Sequence, residues 1–185
     1  AGDDDFFETA DTRIVLSLLH VIDNPVQDIH LLAVLMSPIF NFSEDKVAAI
    51  RAKGKNKDHS LYANLLSEEK DDEEVKKVLD TIRLYRQLSV AMPVGELIRK
   101  IYDDTLLPSI VASMPNGISR QANLMLLSDY ADGYEQNTEI GIGSFVRFLD
   151  SWLENDLSLK TASLTAGKTD AVKIMTIHKS KGLQF

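Results

Sequence analysis

The sequence predicts a mainly α-helical fold, with one or two short strands confined to the C-terminal end. Three observations predict it. Apolar residues recur at three- and four-residue spacing along most of the chain up to Asn155. Proline and capping residues cut that pattern into segments of helix length. A single stretch, residues 170–177, alternates instead, and it comes last.

The first helix is expected over residues 8–23, where Ile14, Leu18, Val21 and Ile22 share one face. Asn24-Pro25 stops it and offers an N-cap and a first-turn proline to a second helix, with Gln27 at the capping-box position. Ile29, Leu32, Ala33 and Met36 continue that second helix until Pro38 ends it. Ser43 suits the cap of a short helix through Val47 and Ile50, closed by Gly54. Residues 55–60 are polar and turn-like. The acidic run Glu68, Glu69, Asp71, Asp72, Glu73 and Glu74 precedes a long helix. Its apolar face is Val75, Val78, Leu79, Ile82, Tyr85 and Leu88. Carboxylates at a helix start favour the positive end of its dipole, so the run reads first as a solvated helix entry. Pro93 separates this helix from one carrying Val94, Leu97, Ile98, Ile101 and Tyr102. Pro108 opens a short segment, and Pro115-Asn116-Gly117 is a turn. Two more helices are expected, at about 119–136 and 144–155, then a Ser- and Thr-rich loop over 157–169. In the strand at 170–177, Val172, Ile174 and Thr176 face one way, and Lys173, Met175 and Ile177 the other. A lone strand cannot satisfy its own backbone, so it belongs to a sheet made largely elsewhere.

Twenty Lys and Arg against 28 Asp and Glu leave 185 residues with a net charge of −8. A chain of that length buries roughly 70% of its unfolded surface, enough for a core without covalent staples. The acidic balance excludes a protein that coats nucleic acid by bulk charge; any such contact needs a local patch. Cysteine is absent, which excludes disulfides, thiolate chemistry and Cys-ligated zinc. No apolar run reaches the ~18 residues of a membrane span. The acidic start bears no likeness to a signal peptide, and a cytoplasmic protein is expected.

Ala166-Gly167-Lys168-Thr169 has the ending of a phosphate-binding loop, but Ala162 stands where the motif needs its first glycine. The histidines His20, His30, His59 and His178 show no metal-ligand spacing, and no nucleophile elbow is present. Neither a catalytic residue nor a metal site is therefore assigned. Two basic features remain. Arg51, Lys53, Lys55 and Lys57 cluster at a helix end and the loop beyond it, where lysines can track phosphates. From Ser158 onward the chain carries Lys160, Lys168, Lys173, Lys179 and Lys181 against the single acid Asp170.

The most specific segment runs from Val172 to Phe185. It is a strand ending in a polar, cationic turn that offers N–H groups, a hydroxyl, an imidazole and an ammonium to an anion. It also resembles motif V of superfamily 1A (UvrD/RecB-like) DNA helicases, T-x-H-x-x-K-G-L-E-F, at Thr176, His178, Lys181, Gly182, Leu183 and Phe185. Gln184 departs from the usual Glu. Asp5-Phe6-Phe7-Glu8 with Asn24-Pro25 is similar to the stretch after motif IV in the same helicases. The spacing of Leu19, Asn24-Pro25, Asp28, Leu31-Leu32, Val34-Leu35 and Ser37-Pro38 is most similar to their AddA (RexA) branch, and Arg120-x-x-Asn123-Leu124 to an element of its inserted subdomain.

That resemblance implies an internal fragment of a helicase–nuclease. Residues 1–43 would be the first part of an α/β RecA-like motor domain (2A), 44–167 a helical 2B-type insertion, and 168–185 the return into 2A. Thr176, His178 and Lys181 would contact DNA, and Gly182 and Gln184 would couple nucleotide state to that grip. Apart from the resemblance, the basic cluster makes Lys53, Lys55 and Lys57 candidate DNA contacts, with helix-end complementarity and solubility as the alternative. The intact protein would use ATP and Mg²⁺, act on single strands and duplex ends of DNA, and pair with an AddB (RexB) subunit. The motifs that hydrolyse nucleotide are expected elsewhere, so the fragment alone should be inactive. Its exposed terminal strand could pair two copies into a strand-exchanged dimer. The competing expectation is a helical interaction module with no nucleic-acid role.

Overall fold

The computed structural model describes residues 9–53, 60–137 and 141–154. Within them the chain is helical with no strand: α1 (Ala10–Asp23), α2 (Asp28–Met36), α3 (Glu44–Lys53), α4 (Leu61–Glu68), α5 (Glu73–Ala91), α6 (Val94–Thr105), α7 (Leu107–Ala112), α8 (Gly117–Asn137) and α9 (Ile142–Glu154). The mainly α fold is thus the observed one. The strand expected at 170–177 lies outside the described residues. Among the described residues one hydrophobic core joins these helices and runs without a break across residue 43.

Helix α1 is the centre. It packs against α2, α5, α8 and α9, and Val15, Leu18, Leu19 and Val21 are fully buried. The single apolar face expected from its periodicity is therefore an understatement, because a helix covered on several sides buries its polar positions too. Three of those find partners on three different neighbours. Asp11 accepts two hydrogen bonds from Arg120 of α8, both at 2.6 Å. Ser17 lies 3.3 Å from His30 of α2, and His20 lies 3.1 Å from Asp150 of α9. At the C-terminal end of α1, Arg86 of α5 donates to the carbonyls of Ile22 and Asp23 at 2.6 and 3.0 Å. Those carbonyls have no acceptor role left inside the helix, so the guanidinium completes them.

The start of α2 differs from expectation. Asn24 does not cap it; its Oδ1 accepts from the N–H of Val26 at 3.3 Å, closing a turn, and the helix begins at Asp28. Leu31, Val34 and Leu35 face the core, while Ile29, Leu32 and Met36 face outward. Helix α2 is apolar nearly all round, so spacing alone does not choose which row is covered. Ser43 does cap α3, accepting from the N–H of Lys46 at 3.2 Å.

Helix α4 has no counterpart among the helices expected from periodicity. Ser60 caps it by accepting from the N–H of Ala63 at 3.2 Å, and its short buried set is Leu61, Asn64 and Leu65. Helix α5 buries the expected Val75, Val78, Leu79, Ile82 and Tyr85. Helices α6 and α8 approach closely where Gly95 lies under Asp132. A Cβ there would fall 1.8 Å from the Asp132 Oδ1 and 3.1 Å from the Ser128 carbonyl oxygen. Glu135 links two helix starts, accepting from the N–H of Val94 at 2.9 Å and of Gly141 at 3.3 Å. No helix among the described residues is long and apolar enough to cross a membrane.

Candidate functional site

Of the residues assigned a role from sequence, Lys53 is the one the structure describes. Lys55 and Lys57, and the motif V positions Thr176, His178, Lys181, Gly182 and Gln184, lie outside the described residues. The surroundings of Lys53 can be built from the helices described on either side of residues 54–59. It sits in the last turn of α3, where a cation complements the carbonyl end of the helix. Its side chain is 62% exposed, and its Nζ lies 2.5 Å from Oε2 of Glu68, at the end of α4. That carboxylate holds the ammonium above the ordinary lysine range. Arg51, in the same basic cluster, pairs with Asp28 of α2 at 3.0 Å.

The acidic run does more than enter a helix. Asp72 caps α5, accepting from the N–H groups of Glu74 and Val75 at 2.9 and 3.1 Å. It also receives Lys46 of α3 at 3.0 Å, and Lys46 bonds Glu74 as well and lies 4.4 Å over the Phe42 ring. Burial pushes the Asp72 carboxyl up, but Lys46 and the two N–H groups outweigh it and hold it below the usual range. Glu69 grips Arg83 through both its oxygens. Glu68, Glu69, Asp72 and Glu74 are thus engaged with cations from α3 and α5, and the solvated-entry reading is incomplete. Electrostatically, the described surroundings of Lys53 are a zipper of paired charges. A phosphate arriving at Lys53 must displace Glu68 or share the ammonium with it.

The Arg120-x-x-Asn123-Leu124 element is structural in its geometry. Arg120 holds Asp11, Asn123 and Leu124 are buried, and the Leu124 carbonyl accepts from the Tyr102 hydroxyl at 2.7 Å. Burial pushes that phenol well above the usual tyrosine range, so it remains a neutral donor. Sequence reasoning missed one grouping altogether. His20 and His30, from consecutive helices, stack face to face with ring centroids 3.9 Å apart beside Asp150. Nothing in their spacing announces this, since the turn at 24–27 folds α2 back along α1. Among the described residues no group of three or more His, Asp or Glu is placed to hold a metal ion.

An apolar groove of about 500 Å³ lies along α2, between it and α3, lined by Ile29, Leu32, Met36, Val47 and Leu61, with Asp28, Glu44 and Arg51 at its rim.

Comparison with known proteins reaches the residues that the geometry does not. The chain is 39% identical over 182 residues to the ATP-dependent helicase/nuclease A subunit of Thermoanaerobacter pseudethanolicus, covering 97% of this chain and 15% of that protein. It is 41% identical over 186 residues to the protein of the same name from Leuconostoc mesenteroides, covering 100% and 15%. The Clostridium perfringens protein of that name is 36% identical over 191 residues, covering 97% and 15%. The chain therefore spans about 15% of the length of these relatives. The UvrD-like helicase C-terminal domain family matches residues 1–185, including the segment that resembles motif V. By that match the chain belongs to the UvrD-like helicase C-terminal domain family.

Proposed function

We propose that this chain is a segment of an ATP-dependent DNA helicase/nuclease of the AddA (RexA) type, which unwinds and processes double-strand DNA ends for recombinational repair. The observation that carries the reading is the similarity to helicase/nuclease A subunits along nearly all of the chain. Residues 44–167 act as a 2B-type insertion, with 1–43 and 168–185 as the flanking parts of motor domain 2A. The intact enzyme works in the cytoplasm with an AddB (RexB) partner.

In this reading the chain's own chemistry is a grip on phosphate. The Thr176 hydroxyl, the His178 imidazole and the Lys181 ammonium hold the backbone of the tracked strand. Gly182 permits the tight turn that brings them together, and Gln184 presents a polar tip toward the nucleotide side. Lys53, Lys55 and Lys57 add sequence-independent phosphate contacts. ATP, bound with Mg²⁺ by other parts of the intact protein, would supply the free energy of translocation through its hydrolysis. No cradle for nucleotide phosphates occurs among the described residues, and no hydrolytic step is assigned to them.

The test uses the intact protein. His178→Ala should lower DNA-stimulated ATP turnover by on the order of tenfold or more while leaving the unstimulated rate in place, because the lost contact is with DNA. Unchanged stimulation in His178→Ala and in Thr176→Ala would remove the assignment. The outward row of α2 favours one second reading, a helical module that docks on a protein partner through the groove. An intact protein lacking DNA-stimulated turnover altogether would turn the balance to it.

A further inference from the structure

We propose that the stacked His20–His30 pair, beside Asp150, is a proton-sensitive clasp that fastens α2 to α1 and loosens as the solution becomes acidic. The geometry gives the reason. His20 is buried in α1, and its Nε2 lies 3.1 Å from Oδ1 of Asp150, so the N–H of that nitrogen donates to the carboxylate. Its other ring nitrogen, Nδ1, is buried and has no hydrogen-bond partner among the described residues. A bare, neutral Nδ1 tolerates such a place, because it carries only a lone pair. A protonated Nδ1 would present a buried N–H with nothing to receive it.

The second ring leaves no easier place for a proton. The His30 ring lies parallel to His20 within 1°, at 3.9 Å, and its Nδ1 faces the Ser17 hydroxyl at 3.3 Å. Two imidazolium rings stacked at that distance would repel across a half-buried contact, with one partly exposed carboxylate beside them. Burial first and His20 second depress the His30 pKa, and Asp150 opposes them. Three charged groups of the packed elements are engaged elsewhere. Arg86 of α5 caps the end of α1, Arg120 of α8 holds Asp11, and Asp28 of α2 takes Arg51 of α3 and the Leu61 N–H of α4. On α9, Arg147 lies beside Gly143, next to Asp23 of α1.

The sign follows from linkage. A histidine whose folded pKa lies below its unfolded value binds fewer protons in the folded state, so stability falls with falling pH. The loss begins as pH drops through the ordinary value of 6.5 and is complete below the folded pKa. Its structural consequence is local. Helix α2 carries the outward apolar row and, through Asp28, the contacts to α3 and α4, so opening the clasp frees that edge from α1.

The experiment compares amide hydrogen exchange of the full chain at pH 7.5 and 5.5, corrected for intrinsic rates. Amides of α2 should lose protection relative to those of α5 by on the order of threefold or more. His30→Phe keeps a flat ring against His20 and takes no proton, so it should abolish that difference. Asp150→Asn retains an acceptor but removes the counter-charge, and it should enlarge it. Parallel profiles for the wild-type chain and His30→Phe overturn the proposal. Should His30→Phe fail to fold, the wild-type chain decides: a His30 ring titrating at 6.5 with unchanged α2 protection overturns it equally.

Discussion

Leu19 on α1 is fully buried, whereas Leu32 on α2 is 39% exposed, although both sit in helices rich in aliphatic residues. The contrast extends to charge. Around α1, polar groups are buried and three of them are keyed to particular neighbouring helices: Asp11 to α8, Ser17 to α2, His20 to α9. Along the α2–α4 edge, ion pairs lie near the surface and apolar residues line an open groove. What differs is position in the bundle rather than composition. A helix surrounded by others must satisfy its polar side chains internally, while an edge helix leaves them to water and cations.

The strongest way to test that contrast is to hollow each region in turn. Leu19→Ala should destabilise the full chain by about 3 kcal/mol, the transfer and cavity cost of an occluded leucine. Leu32→Ala should stay within about 1 kcal/mol, since much of that side chain already meets water. Urea midpoints at constant slope measure both. Equal losses would mean that the α2 row is covered in solution.

A smaller effect separates the two kinds of ion pair. Asp11 is 4% exposed and receives a bidentate guanidinium, so Asp11→Ala leaves Arg120 without its buried partner. The cost should be about 2 kcal/mol, below the full penalty for a buried pair because Arg120 retains access to water. Lys46→Ala removes contacts to Asp72, which is 29% exposed, and to Glu74, which is 68% exposed, and should cost about 0.5 kcal/mol. If the two losses coincide in urea unfolding, burial is not what distinguishes the regions.

The same physics explains what could be read from the sequence. Helix α5 was legible because one covered face gives a clean period, and its acidic cap sits where the N–H groups emerge. Helix α4 was not, since two turns with three buried positions carry too little periodicity to rise above a polar loop. Asn24 could serve as a helix cap or close an Asx turn, and the local sequence supports both. Apolar spacing identified α2 as a helix but could not say which row faces α1. The histidine pair depends on how two helices fold back on each other, and no local pattern encodes that. The motif V residues are the reverse case: recognisable in sequence at Thr176, His178, Lys181 and Gly182, they lie outside the described residues.

The smallest expected effect concerns the lysine loop, where the edge region meets its proposed work. Lys53 is exposed yet held by Glu68, so its charge reaches an approaching phosphate partly neutralised. Glu68→Gln removes the negative charge but keeps a polar side chain that can still hydrogen-bond Lys53. If the loop tracks duplex DNA, that change should tighten binding by about twofold at low salt, with the effect fading as salt rises. Replacing Lys53, Lys55 and Lys57 together with Ala should flatten the salt dependence, each lost phosphate contact reducing the slope by about 0.9. The two experiments bracket the site from opposite sides, one releasing a cation and the other deleting it. A slope that is unchanged in the triple variant, with Glu68→Gln equally silent, would assign the whole cluster to helix-end complementarity and solubility. A response in the triple variant alone would place the grip on Lys55 and Lys57 and leave Lys53 as the anchor that ties α3 to α4.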